Sequence, residues 1–70
     1  MQYNGQSVRP MDVPLGDLIK IYVREGGCVS GVGTRIEGEF GRRGLSHGDI
    51  IEHVRNHPEL GIEVNLISQI

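Results

Sequence analysis

Cys28 is the only cysteine in a chain of 70 residues, and small size combined with a lone thiol sets the terms on which the chain can fold. A domain of this length buries little more than about 60% of the surface its unfolded chain exposes. Most such domains add a disulfide, a metal or a partner subunit. One cysteine cannot close a disulfide within one chain, so the extra burial is expected from a metal, a second copy or another protein. The lone thiol also fits a reducing compartment, and the cytoplasm is the expected location. Val, Ile, Leu and Phe make up 21 of the 70 residues, above the roughly 20% floor for a folded chain. The length excludes a multidomain enzyme. No apolar run nears the roughly 18–20 residues of a membrane span, and MQYNGQSVRP lacks the basic-then-apolar order of a signal peptide. No membrane partner is expected.

The pattern divides into a polar lead-in, residues 1–12, expected to be mobile, and a single compact domain over residues 13–70. Asn4-Gly5 allows a tiny hairpin between Gln2-Tyr3 and Gln6-Val8, because both residues tolerate positive φ. In residues 14–25, Leu15, Leu18, Ile19, Tyr22 and Val23 form one helical stripe. Asp12 stands where it can cap the start, and Gly26-Gly27 stops the helix. Residues 30–40 fit two patterns. Val32, Ile36 and Phe40 repeat every four residues behind Ser30, yet the same stretch alternates as a half-buried strand would. Gly31, Gly33 and Gly38 would each cost a helix about 1 kcal/mol, but glycine weakens a strand as well, so propensity does not separate the two, and a short, strained helix is the expectation.

Residues 46–57 carry the clearest helix. Ser46 and Asp49 have capping-box spacing, Leu45 and Ile50 occupy the staple positions, and Pro58 ends the element. Ile62, Val64 and Leu66 alternate with Glu63 and Asn65, which reads as a C-terminal strand over 61–67. The expected fold is therefore α+β and α-rich, with about three short helices and that strand.

Phe40 to Ser46, followed by the capped helix, is helix-turn-helix-like in pattern. Gly44 supplies the turn, Leu45 an apolar residue after it, and Ile50 and Ile51 the packing face. On that pattern Ser46, His47, His53 and Arg55 are candidates to reach base edges, and Arg35, Arg42 and Arg43 to touch phosphates. The charge balance runs the other way. Seven Lys+Arg against nine Asp+Glu give the chain a net charge of −2, whereas DNA-binding domains are usually basic. Arginine forks match carboxylates equally well, so the same residues suit a protein target.

Other constellations carry less. His53 and His57 are four residues apart, a metal-competent spacing, with Cys28 as a candidate third ligand. There is no CxxC or HExxH, and no metal or other cofactor is expected. The glycines of residues 26–33 lack the Lys-Ser/Thr of a phosphate loop. A core this small also spares no substrate pocket, so neither an enzyme nor a small-molecule binder is expected. The leading expectation is a non-enzymatic transcription regulator acting by occupancy, binding DNA or the transcription machinery (RNA polymerase, for example) through residues 40–57. The alternative is a protein–protein inhibitor or antitoxin-like partner of viral or plasmid type. Its contacts would be Tyr3, Val8 and Met11 in the lead-in and Leu66, Ile67 and Ile70 in the apolar tail, with a homodimer as a further arrangement.

Overall fold

The computed structural model describes residues 1–70 apart from the side chain of Cys28. Among the described residues there are four α-helices and one two-stranded antiparallel sheet. The helices are α1 (Leu15–Arg24), α2 (Gly31–Arg42), α3 (His47–Asn56) and α4 (Val64–Ser68). The strands are β1 (Gln2–Tyr3) and β2 (Gln6–Ser7). Single 3-10 turns at Pro10–Asp12, Gly27–Val29 and Pro58–Leu60 join the longer elements. The chain is a small α-rich α+β domain, with one helix more than the sequence pattern implied.

The lead-in takes the hairpin form that Asn4-Gly5 permits. Gln2 pairs with Ser7 and Tyr3 with Gln6. Asn4 and Gly5 both have positive φ, 51° and 77°, as a two-residue type I′ turn requires. The Tyr3 hydroxyl donates to the Asp17 carboxylate and so fastens the hairpin to α1. Asp12 does not cap α1. Its carboxylate accepts from Arg9 Nε at 3.0 Å, and α1 opens on Pro14, whose carbonyl accepts from the Leu18 N–H.

The core collects Leu18, Ile19, Ile21 and Tyr22 of α1, Ile36 and Phe40 of α2, Ile50 and Val54 of α3, and Val13 and Ile67. Tyr22 meets Phe40 edge to face, ring centroids 5.2 Å apart, the arrangement the ring quadrupoles favour. Residues 30–40 are helical, and α2 continues to Arg42. Ser30 caps it by accepting from the Gly33 N–H at 2.9 Å.

Gly33 is what that helix start requires. A Cβ there would lie 1.4 Å from the Gly27 carbonyl oxygen, so the 3-10 turn can lie on α2 only if the position is glycine. Gly27 is constrained from its other side as well. Its φ is +70°, and a Cβ would lie 1.6 Å from Ile70 Cγ2. The C-terminal Ile70 therefore packs against the turn that precedes α2.

The strand expected over 61–67 is not formed; α4 occupies Val64–Ser68. A lone strand there would leave its backbone donors and acceptors unpaired, because β1 and β2 pair only with each other. Coiling brings Val64 and Ile67 onto one face, three residues apart, and Ile67 is fully buried.

The glycines of α2 yield a pair of opposite outcomes. Gly33→Ala forces the 3-10 turn off the helix and is expected to cost about 2 kcal/mol or more. Gly38→Ala meets nothing within 4 Å and gains helix propensity of about 1 kcal/mol. Thermal melts of the two variants, followed by circular dichroism, should therefore move Tm in opposite directions.

Candidate functional site

Arg43 and Glu39 form the polar join of the fold. Arg43 terminates α2, and its guanidinium donates to the carbonyls of Pro10 at 3.1 Å and Val13 at 2.9 Å. Its Nε also reaches Glu39 at 3.3 Å. Glu39 is the one buried charged residue among those described. Arg42, three residues along the same helix, forks onto it, with Nε 2.8 Å from Oε2. The hydrogen bonds from Arg42 hold the Glu39 carboxyl below the usual glutamate range, and those from Arg43 add to this against the opposing effect of burial.

This join builds a groove. Its lining takes Arg9, Pro10 and Met11 from one side and Arg35, Gly38, Glu39 and Arg42 from α2, around about 200 Å³. Arg35, Gly38 and Arg42 fall at i, i+3 and i+7, one stripe of the helix. Met11 is 46% exposed. Arg35 enters no ion pair among the described residues. The groove thus unites Arg35 and Arg42, read from the sequence as phosphate contacts, with Met11, read as a partner contact. Arg9 joins them, a residue the sequence reading passed over as part of a polar lead-in. Its signal was Arg-Pro-Met: a cation and an apolar side chain on either side of a proline that fixes the bend.

The remaining candidates lie elsewhere. Ser46 and His47 line a cleft of about 220 Å³ together with Tyr22, Glu37, Phe40 and Ile50. Ser46 is committed to the capping box: its Oγ accepts from the Asp49 N–H, and its own N–H donates to the Asp49 carboxylate. The hydrogen bond from the Ser46 backbone N–H, and after it the Ser46 side chain, lower the pKa of Asp49. The turn before α3 is a complete Schellman motif. The Leu45 N–H reaches the Phe40 carbonyl, the Gly44 N–H reaches the Gly41 carbonyl, and Gly44 has φ of +77°. That turn leads directly into the capped α3, which turns Asp49, Glu52 and Arg55 outward along with Gly48 and Asn56. Two carboxylates, Asp49 and Glu52, stand there against the one guanidinium of Arg55.

His53 is half-buried and stacks on His57 with ring centroids 4.2 Å apart. His57 Nδ1 lies 2.8 Å from Glu59. Among the described residues no three His, Cys, Asp or Glu side chains gather as metal donors, and the side chain of Cys28 lies outside the described residues. Of the apolar candidates, Ile67 is fully buried and belongs to the core. Tyr3, Val8 and Ile70 are half-buried against it. Leu66 is 49% exposed and Val29 91%, but neither lines the groove or the cleft. A third hollow, about 260 Å³, lies between the hairpin and α1, where Tyr3 and Asp17 face Lys20 and Arg24. No helix among the described residues is long and apolar enough to cross a membrane.

Comparison with protein-family models, curated proteins and solved structures finds no match for this chain. Any functional reading therefore rests on the chain's own geometry and charge.

The Arg43–Glu39 join has an acid signature. A carboxylate with a lowered folded pKa contributes stability above its unfolded pKa and loses it as pH falls through the folded value. Urea midpoints are therefore expected to drop below about pH 4.3, the ordinary glutamate value. Glu39→Gln should flatten part of that drop. Arg43→Ala should cost about 2 kcal/mol at neutral pH, because it strips charged donors from half-buried carbonyls. Arg42→Ala should cost less, since that side chain is 58% exposed.

Proposed function

We propose that this chain is a small, non-enzymatic transcription regulator that acts by occupancy on a protein of the transcription machinery. The observation that carries the choice of a protein over DNA is where the charge sits. The exposed arginines Arg9, Arg35 and Arg42 gather around Met11 on the α2 side, while the outward face of α3 is net acidic. A recognition helix places its first turn against bases and phosphates. Here that turn holds Asp49, whose carboxylate is tied to the cap. Arginine and methionine around a small apolar depression are the residue types enriched where proteins meet.

Occupancy rather than catalysis is supported by the hollows themselves. At about 200 to 260 Å³, they fall below the roughly 300 Å³ at which metabolite pockets begin. An inhibitor or antitoxin-like protein would use the same surface on a different target. The DNA-reading form has one observation in its favour, the Schellman turn leading into a capped α3.

Two measurements test the proposal. In transcription reactions with a purified multisubunit RNA polymerase, the wild-type chain is expected to change transcript yield, and the double variant Arg35→Ser/Arg42→Ser to leave it unchanged. No effect from the wild-type chain would remove the transcription reading, whereas equal effects from the two proteins would move the contact away from Arg35 and Arg42. The second measurement is an amide-resolved NMR titration with a mixed-sequence DNA duplex, at low salt and at about 0.2 M, where phosphate-driven binding weakens. No shifts are expected in residues 46–57. Shifts confined there that fade with salt would replace the protein target with DNA.

A further inference from the structure

The groove between the Pro10–Asp12 turn and α2 has a basic surround, an apolar seat and a fixed wall, and together these specify an occupant. The lining sets Arg9, Arg35 and Arg42 against Glu39, and the two groups bonded behind it, Arg43 and Asp12, cancel each other, so the surround is net +2 in a chain of net −2. The remainder of the molecule is correspondingly acidic, and such a separation orients an incoming acidic surface toward this side. The seat is Met11, nearly half exposed beside Pro10. Methionine adapts its shape to an apolar neighbour at little conformational cost. The wall is held in advance, because Arg43 bonds the carbonyls of Pro10 and Val13 to the end of α2. A preformed site spares the ordering cost of binding.

From these features we infer that the groove docks a short acidic peptide segment of a partner protein, with one apolar side chain seated on Met11 and flanking carboxylates on Arg35 and Arg9. Arg35 is the principal contact, since its guanidinium enters no ion pair among the described residues. A volume of about 200 Å³ suits a side chain rather than a metabolite. The apolar seat favours a peptide over a nucleic acid, whose backbone offers charge without an apolar anchor. The inference rests on the protein-partner reading above and gives that partner its chemistry.

The test uses a fluorescein-labelled synthetic peptide with one leucine between runs of aspartate and glutamate, read by anisotropy and by amide shifts of the full chain. Shifts are expected at Met11, Arg35, Gly38 and Arg42. Replacing the peptide leucine with serine should weaken binding about tenfold, the value of burying one such side chain. Arg35→Ser and Met11→Ser, both at exposed positions, should each weaken it several-fold, while their urea midpoints stay at the wild-type value. Equal binding of the leucine and serine peptides overturns the inference, as does wild-type affinity in both variants. A DNA duplex that shifts the same amides more strongly than the peptide also overturns it. So does sedimentation showing a dimer that buries Met11, which would make a second copy the occupant.

Failure of this inference is distinguishable from failure of the function proposed above. If polymerase activity still responds to the chain but Met11→Ser changes nothing, the groove is wrong and the protein target stands. If the peptide binds with the expected dependence on Arg35 and Met11 but transcription is untouched, the groove stands and the target lies elsewhere.

Discussion

The guanidinium of Arg43 is the point at which two otherwise separate parts of the chain become one body. The segment from Arg9 to Val13 has neither a sheet partner nor a long helix of its own. The carbonyls of Arg9 and Pro10 accept from the Asp12 and Val13 N–H groups of its own 3-10 turn. Arg43 donates a further bond to Pro10 and one to Val13 and balances its own charge on Glu39. Val13 is thereby held in the core beside α1, and α1 starts from a fixed entry point. A buried carboxylate is costly unless it is paired. Here the pairing is local, at i+3 and i+4 on one helix, so the cations arrive with the helix itself.

Close backbone approach at glycines supplements the small set of large apolar residues. Leu60 reaches α1 over Gly16, where a Cβ would stand 2.9 Å from it. The Gly27–Val29 turn rests on Gly33, and Ile70 rests on Gly27. Absent side chains let short elements touch, which is how a chain with one phenylalanine and no tryptophan encloses a core. The glycines that look like helix-breaking liabilities in α2 are thus of two kinds. Gly33 is required by contact, whereas Gly31, Gly38 and Gly41 have open space above them.

Much of the helical layout could be read from local signals. The stripe of α1, the Gly26-Gly27 stop and the Ser46/Asp49 box each depend on neighbours within a turn, and each forms as its spacing implies. The misreadings came from longer range. Ile62, Val64 and Leu66 alternate as a strand would, but alternation cannot reveal that no partner strand is at hand. Asp12 stands at capping distance in sequence, yet Arg9 claims it. The groove was the least legible feature. Arg35 and Arg42 stand out as cations in the sequence, but Arg9 and Met11 lie more than twenty residues away, joined to α2 by the Arg43 bonds and by Val13 in the shared core. No short-range pattern encodes that contact.

Glu39 has two arginines where charge balance needs one. Arg43 is directed inward, while Arg42 is more than half exposed at the groove. A carboxylate arriving from outside can therefore draw Arg42 away without stranding Glu39, which keeps Arg43. The surface cation is lent and the interior stays neutralised, so occupying the groove need not loosen the fold that shapes it.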